Sequence, residues 1–414
     1  MPETIRQGPA DGAFAFELAS NPLADRAAPF GEVESAVLND AAFAEARAAI
    51  TAWPGYAPTP LHALPGLAAE AGVAAVHMKD EGGRFGLGSF KALGGAYAVA
   101  RLLRREVTAA RGAEPPMREI LEGAHADVVS RITVCCATDG NHGRSVAWGA
   151  RTFGCNCVIF IHATVSEGRK RAIERFGARV VRTAGNYDDS VREAGETARR
   201  EGWFVVSDTS YPGYMEVPKD VMQGYELMAA EAIEQLGEPP THVFVQTGVG
   251  GMAAAVAAQF KRRMGAGRPW IVLADPARAA CWVASIRAGR PTPVHGDLDT
   301  LMAGLACGEV SLLAWQVLRR HADAVVAVED GDAVAMMRRL ARPAAGDPAI
   351  VAGESAVAGL VALLAVMRDD AARAALGLGP DSRVLVFGTE GDTDPELYEE
   401  LVGIGGDTVR RRAA

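Results

Sequence analysis

Apolar residues in this chain fall into short unbroken runs, each followed by a longer stretch with helical spacing. Ala74-Ala75-Val76-His77-Met78-Lys79 is the first such run. Arg131-Ile132-Thr133-Val134-Cys135-Cys136-Ala137, Cys157-Val158-Ile159-Phe160-Ile161, Arg179-Val180-Val181-Arg182 and Phe204-Val205-Val206 continue the series. His242-Val243-Phe244-Val245-Gln246, Trp270-Ile271-Val272-Leu273-Ala274 and Val384-Leu385-Val386-Phe387 complete it. Strict alternation marks a half-exposed strand, whereas a run without alternation suits a strand covered on both faces, as in a parallel sheet. Helices are expected from Lys91, from the 138–143 loop through Ala150, over 166–176, over 188–201, and in the Ala-rich stretch between Gln246 and Trp270. The alternation of strand and helix predicts an α/β chain. Residues 1–50 read as a polar arm with one Ala-rich helix over 41–50, and Pro58-Thr59-Pro60-Leu61 forces an extended entry to the first strand–helix repeat. Ligands bind at the carboxyl ends of strands in open parallel sheets, which draws attention to the junctions at Asp139, Gly248 and Gly388.

Composition adds limits. At 414 residues the chain is long enough for two domains with sizeable cores. A formal net charge of -9 argues against nucleic acid or an anionic membrane as the main partner. The longest apolar run, residues 358–367, is too short to cross a bilayer. Met1-Pro2-Glu3-Thr4-Ile5-Arg6-Gln7 lacks the apolar centre of a signal peptide. Cys135, Cys136, Cys155, Cys157, Cys281 and Cys307 form no C-x-x-C pair, so neither a zinc site nor a disulfide framework is expected. Cys135, Cys136, Cys155 and Cys157 lie in β-like runs and should pack as small hydrophobes, and a reducing cytoplasm is the expected compartment.

Candidate chemistry begins at Lys91. Gly88-Ser89-Phe90-Lys91-Ala92-Leu93-Gly94-Gly95-Ala96-Tyr97 is apolar and glycine-rich and should open a helix. Burial there disfavours the ammonium form and makes the amine nucleophilic toward a carbonyl. The bland alternative is a helix lysine that snorkels to solvent. The turn at Gln246-Thr247-Gly248-Val249-Gly250-Gly251-Met252 comes directly after a strand. Its glycines let backbone N–H groups converge on an anion at the positive end of the next helix. The alternative is a tight turn that binds nothing, and the run fits neither the dinucleotide nor the Walker pattern. A carbonyl-reactive lysine together with a phosphate cradle points to pyridoxal phosphate (PLP).

Thr138-Asp139-Gly140-Asn141-His142-Gly143 again joins a strand to a helix. Backbone N–H groups from Gly140 to His142 are candidates for holding a substrate carboxylate. Asn141 is either an N-cap or a donor to a phenolic oxygen of the cofactor. Asp139 is a candidate general base, or else a loop carboxylate stabilised by the helix dipole. His142 reads as structural. Asp208, in Ser207-Asp208-Thr209, reads on its own as a turn residue. The acids of Phe387-Gly388-Thr389-Glu390-Gly391-Asp392-Thr393-Asp394 suit a surface loop or a metal site, and a hydroxyl at that strand end suits a pyridine nitrogen.

Taken together these segments resemble the fold-type II PLP enzymes, the tryptophan synthase β and threonine dehydratase superfamily. Within it the chain is most similar to the diaminopropionate ammonia-lyase group. The likeness rests on Lys79-Asp80-Glu81, Arg84-Phe85-Gly86-Leu87, Phe90 through Tyr97, Ala137 through Arg144, Asn186-Tyr187-Asp188-Asp189, Met302-Ala303-Gly304-Leu305-Ala306-Cys307-Gly308-Glu309, Gly353-Glu354-Ser355 and Thr389 through Asp394. It runs from Pro58 to Tyr398. The superfamily usually has Ser-x-Gly-Asn at the carboxylate loop, and an acid at Asp139 marks the diaminopropionate group. Gly82-Gly83 and the residues after Asp208 depart from the pattern.

The resemblance implies two open, twisted, mostly parallel sheets flanked by helices, with PLP in the cleft between domains. Residues 1–99 and 219–414 would form the large cofactor-binding domain and residues 100–218 a small domain inserted in it. The implied reaction is α,β-elimination of 2,3-diaminopropionate, D or L, to pyruvate and ammonia. Lys91, Asp139 and Asp208 are the implied catalytic residues. Lys91, Asn141, Gly248, Val249, Gly250, Gly251, Met252 and Thr389 would hold the cofactor. Thr138, Gly140, Asn141 and His142 would hold the substrate carboxylate. No metal, nucleic acid or membrane partner is implied, and a homodimer is expected from the family. The rival readings are a serine or threonine dehydratase-like ammonia-lyase, against which Asp139 argues, and a binding protein that lost its chemistry, against which Lys91 argues.

Overall fold

In the computed structural model, residues 4–7, 14–138, 140–344 and 346–413 are described. Contacts divide the chain into two units, the first made of residues 1–37, 58–83 and 228–414, the second of residues 38–57 and 84–227.

The first unit is built on an eight-stranded sheet. Its strands are β1 (Thr4–Gln7), β2 (Phe16–Ser20), β3 (Leu61–Ala63), β4 (Ala75–Asp80), β9 (His242–Gln246), β10 (Trp270–Pro276), β11 (Ala324–Val328) and β12 (Arg383–Gly388), in the spatial order β1-β2-β11-β10-β9-β12-β4-β3. The five central strands, β11 through β4, are parallel, and antiparallel pairs close both edges. Val243, Phe244 and Val245 are fully buried, as are Val325, Val326 and Val328. Covering on both faces is why these runs do not alternate. The Ala358–Met367 helix is buried along its whole length and packs against β9, β10 and β11. A helix apolar all round belongs in the interior, so this run is core. Among the described residues no helix is long and apolar enough to cross a membrane.

The expected polar arm needs correction. Phe16–Ser20 pairs antiparallel with β11, and Phe16, Leu18 and Ala19 are buried. The run is short and interrupted by Glu17, so its periodicity is weak. Its place in the sheet comes from its pairing with β11, another strand absent from the apolar runs named above.

The second unit carries four parallel strands: β5 (Thr133–Ala137), β6 (Asn156–Ile161), β7 (Arg179–Arg182) and β8 (Phe204–Val205), ordered β7-β6-β5-β8. Cys135 pairs with Val158 on one side and Val205 on the other. Cys135, Cys136 and Cys157 are buried within this sheet, as their apolar surroundings predicted. Because β5 and β8 are neighbours, the loops that leave their carboxyl ends lie side by side. Those are the 138–143 loop and the segment bearing Asp208.

Candidate active site

Lys91 is the first residue of the Lys91–Arg111 helix in the second unit. Missing side chains hold that helix close to its neighbours. A Cβ at Gly95 would lie 2.0 Å from Ser145 Oγ, and one at Gly149 would lie 2.8 Å from Ala96 Cα, both against the Asn141–Phe153 helix. A Cβ at Gly224, in the Glu216–Gln235 helix, would lie 2.0 Å from the Leu93 carbonyl oxygen. Ser145 Oγ also donates to the Lys91 carbonyl at 2.8 Å. Interiors packed at this density transmit any added methyl to the backbone. The root of the lysine side chain is therefore set by helix–helix packing.

Its tip is set by charge. Lys91 Nζ donates to Asp208 Oδ2 at 2.5 Å, and the two side chains are 18% and 20% exposed. The snorkelling alternative does not hold, and neither does simple desolvation, because the amine has an anionic partner. Nζ also lies 5.5 Å from the centre of the Phe90 ring. Tyr225 packs on the other member of this pair, its ring centre 4.7 Å from that of Phe90. Burial pushes the Tyr225 phenol far above its ordinary value, with Lys91 pulling it down and Asp208 adding to the rise.

Asp208 comes after β8, and its loop is braced from within the unit. The Tyr214 hydroxyl donates to Val205 O at 2.9 Å and accepts the Ser207 N–H at 2.9 Å. Burial acts to raise the Asp208 carboxyl, but the Lys91 ammonium outweighs it and holds it well below the usual carboxylate range. His142 Nε2 lies 2.8 Å from Val206 O, so that nitrogen carries the proton. Its Nδ1 faces Asp208 Oδ2 at 3.8 Å. Burial lowers the His142 pKa, although Asp208 pulls it back, so this ring is neutral near neutral pH. The expected structural role of His142 fits these contacts, with the addition that it stands beside the Lys91–Asp208 pair.

In the neighbouring loop, Thr138 Oγ1 accepts the N–H groups of Gly140 at 3.0 Å and Gly143 at 3.2 Å. The N-cap of the helix after it is Gly140, and Asn141 is the first helical residue, so the N-cap alternative for Asn141 is set aside. Asp139 lies outside the described residues.

In the first unit, β9 and β12 are adjacent, which brings together the loops that leave them. Gly248 O accepts the Trp282 indole N–H at 3.0 Å, and Val249 O accepts the Ser311 N–H at 2.9 Å. Among the described residues there are no cis peptides, and in a trans peptide the C=O and N–H point opposite ways. The N–H groups of Val249 and Gly250 therefore point away from Trp282 and Ser311. Gly250 has φ +98°, and a Cβ there would lie 2.2 Å from the Trp282 ring, so only glycine fits. The Gly251–Met264 helix starts next, with first-turn amides that have no intrahelical acceptor. This donor set fits a phosphate.

Gln246, expected only to start that turn, links the two loops. Its Nε2 donates to Phe387 O at 2.8 Å and to Thr389 Oγ1 at 2.9 Å. The Thr389 oxygen accepts there, which leaves its own O–H to donate elsewhere. The acids of residues 388–394 form no metal site. Glu390 accepts the Ser355 N–H at 3.1 Å, Asp392 pairs with Arg410, and Asp394 caps the Pro395–Val402 helix. Among the described residues no cluster is suited to a metal. Other segments that carried the resemblance meet here as well. Gly304 N donates to Ser355 Oγ at 3.0 Å, Gly353 N donates to Glu390 O at 3.0 Å, and a Cβ at Gly248 would lie 3.1 Å from Cys307 Sγ. The departure at Gly82 has a steric reason, since a Cβ there would lie 3.3 Å from Gly391 N.

A match to the family described as pyridoxal-phosphate dependent enzyme covers residues 52–390. The chain belongs to that family. As a pyridoxal-phosphate dependent enzyme it is 41% identical over 361 residues to diaminopropionate ammonia-lyase of Escherichia coli (strain K12), covering 86% of this chain and 89% of the relative. It is also similar to the crystal structure of selenomethionine-incorporated holo diaminopropionate ammonia lyase from Escherichia coli, with TM-score 0.86 and 37% identity over 94% of this chain and 97% of that one. The Escherichia coli enzyme in complex with an aminoacrylate-PLP azomethine reaction intermediate superposes with TM-score 0.83 and 36% identity, again over 94% and 97%. These likenesses cover both units, and they bear out the α/β, mostly parallel, fold-type II architecture.

Sequence reasoning missed Trp282, Asp275, Tyr214 and the amide of Gln246. Asp275 had a signal, a carboxylate at the end of an apolar strand, where ligands and their supports gather. The other three had none.

Proposed function

We propose that this protein is a PLP-dependent ammonia-lyase that converts 2,3-diaminopropionate, D or L, and one molecule of water to pyruvate and two molecules of ammonia. The observation that carries the reading is the Lys91–Asp208 pair at the opening of a tightly packed helix, in a chain 41% identical to a diaminopropionate ammonia-lyase. PLP, when bound, withdraws electrons from the α-carbon of the amino acid. The chain's own residues would hold it at several points. Lys91 is the attachment point. The backbone N–H groups of Gly248, Val249, Gly250, Gly251 and Met252 take the phosphate. Asn141 meets the phenolic oxygen. The Thr389 hydroxyl, whose oxygen already accepts from Gln246, donates to the ring nitrogen. Such a neutral partner would leave the nitrogen largely unprotonated, which would favour elimination over transamination. Thr138, Gly140, Asn141 and His142 form the clamp for the substrate carboxylate.

Three groups divide the proton work. The α-protons of the two enantiomers project from opposite faces once carboxylate and amine are held. Lys91 Nζ serves the L-isomer, and by the family resemblance Asp139 serves the D-isomer. The β-amine leaves only if protonated. Asp208 suits that donation. Its acidity depends chiefly on the Lys91 ammonium; when Lys91 is engaged elsewhere, burial is opposed by less and pushes the carboxyl toward its protonated form. A cytoplasmic homodimer is part of the proposal; the dimer rests on the family resemblance, the compartment on cysteines that suggest no disulfide framework.

The test is pyruvate release from D- and L-diaminopropionate, D- and L-serine and L-threonine. Turnover of both diaminopropionate isomers supports the reading. Good turnover of serine or threonine with none of diaminopropionate transfers it to a dehydratase. Asp139→Asn is expected to depress the D-isomer by ~10²–10⁴-fold, the usual scale for a lost general base, and the L-isomer far less. Equal losses on both isomers would make Asp139 the shared donor to the leaving amine.

A further inference from the structure

Asp275 is a fully buried carboxylate that no step of the proposed reaction uses. It stands in β10, whose neighbour β9 ends one residue before Thr247. The groups that meet it are the Thr247 hydroxyl, the Trp282 N–H at 2.9 Å and the Val283 N–H at 3.3 Å. The last two open the Cys281–Ala288 helix. One carboxylate thus ties the entrance of the glycine loop to the helix that carries Trp282. The indole of Trp282 then reaches back beneath the loop. Its N–H binds Gly248 O at 3.0 Å, and its six-membered ring fills the space a Cβ at Gly250 would need.

We infer that Asp275 and Trp282 are positioning residues for the cofactor phosphate, acting through the Thr247 hydroxyl and the Gly248 carbonyl to aim the loop's N–H groups at the anion. The inference rests on the reading of residues 248–252 as the phosphate cradle. The physical reason is the coupling within a peptide plane. Holding Gly248 O on the indole turns the Val249 N–H to the opposite side. Without that anchor the Gly248–Val249 peptide is free to rotate, and glycine offers little resistance. Holding Thr247 by its hydroxyl fixes the plane that precedes it. The carboxylate's own bonds, two of them to the first amides of a helix, keep both anchors in register.

The apoenzyme is titrated with PLP and, separately, with pyridoxal, which lacks the phosphate. The wild type should prefer PLP. Trp282→Phe removes the N–H together with the outer part of the indole that covers Gly250, so Thr247→Val, which changes no ring, is its control. Thr247→Val removes the hydroxyl from the other end, and Thr247→Ser restores it. Trp282→Phe and Thr247→Val should each weaken PLP by about 3- to 10-fold, the scale of one lost hydrogen bond, and leave pyridoxal unchanged. Thr247→Ser should match the wild type, and the phosphorus NMR shift of bound PLP should move in Trp282→Phe and Thr247→Val alone. Equal weakening of PLP and pyridoxal in both variants would mean general damage to the fold and would overturn the inference. Gly250→Asp separates this from the underlying reading. If Gly250→Asp abolishes the preference for PLP while Trp282→Phe and Thr247→Val keep it, the cradle stands and the positioning role falls. If Gly250→Asp also keeps the preference, the cradle itself is wrong and the inference goes with it.

Discussion

The lysine pocket of the second unit and the glycine loop of the first solve different electrostatic problems by different means. Around Lys91 the contacts are made by side chains that change charge: an amine, a carboxylate at 2.5 Å and a neutral imidazole at 3.8 Å from the same carboxylate. Around Gly250 they are made by backbone dipoles and neutral groups, with one buried carboxylate behind them. An amine that must gain and lose a proton needs a partner able to compensate both states. A phosphate keeps its charge throughout, so fixed N–H groups serve it and require no titration. Charged pockets are thus exposed to pH and to single-residue changes of charge, whereas the N–H groups of a dipole cradle are exposed to changes of backbone geometry, and here to pH only through the buried Asp275 behind them.

Lys91→Ala attacks the first region most directly. Pyruvate release should fall by at least ~10²–10⁴-fold, and borohydride should no longer leave a pyridoxyl mass on the peptide that holds residue 91. Because the cradle is untouched, inorganic phosphate should still compete with PLP for the variant. Label on another lysine in the wild type, or a colourless wild-type protein, would sink the PLP assignment at Lys91.

Asp275 offers the sharpest contrast in pH dependence. Burial pushes its carboxyl up to about 7, against the hydrogen bonds from Thr247, Trp282 and Val283. Between its ordinary value and about 7 the folded state holds a proton that the unfolded state has lost, so stability falls as pH rises through that window. Asp208 has the opposite sign. Its folded value is depressed by Lys91, so its contribution is present above the ordinary carboxylate range and is lost as pH falls. Thermal melts of the apoenzyme should show both slopes. Asp275→Asn should remove the decline toward neutral pH, worth up to roughly 4 kcal/mol on a shift of this size. An unaltered slope in that variant would assign the decline to other groups.

Asp208→Asn leaves Lys91 beside a neutral partner. With both side chains about a fifth exposed, the apoenzyme should lose about 1–3 kcal/mol, less than for a fully buried pair. Chemical denaturation measures this, and the acid-side slope should shrink with it. No change in either would show that water rather than Asp208 compensates the amine.

Gly195→Ala gives the smallest effect and the opposite sign. Gly195 lies in the Tyr187–Glu201 helix, and a Cβ there meets nothing within 4 Å. Stability should rise by ~0.5–1 kcal/mol, the helix cost of glycine relative to alanine. Gly224→Ala, aimed at the Leu93 carbonyl oxygen, should instead destabilise. If both variants behaved alike, the packing account of how Lys91 is rooted would fail.

Much of this protein was legible in its residues. Runs without alternation marked the buried parallel strands, because covering on both faces removes the need for polar positions. Lys91, the glycine loop and the 138–143 loop stood out because each is a local departure from helix or strand composition. The likeness to fold-type II PLP enzymes could be stated from contiguous motifs alone. Only the tertiary structure supplied partners. Asp208 lies 117 positions from Lys91, and Thr389 lies 143 from Gln246. Phe16–Ser20 became a strand because β11 was there to pair with it. Trp282 and Asp275 look like ordinary core residues until β9 and β10 are set side by side. Periodicity and turn chemistry report what a segment prefers to be; which strand ends become neighbours depends on the order of strands in the sheet. Chemistry at a site depends on that order, since it decides which charge compensates which.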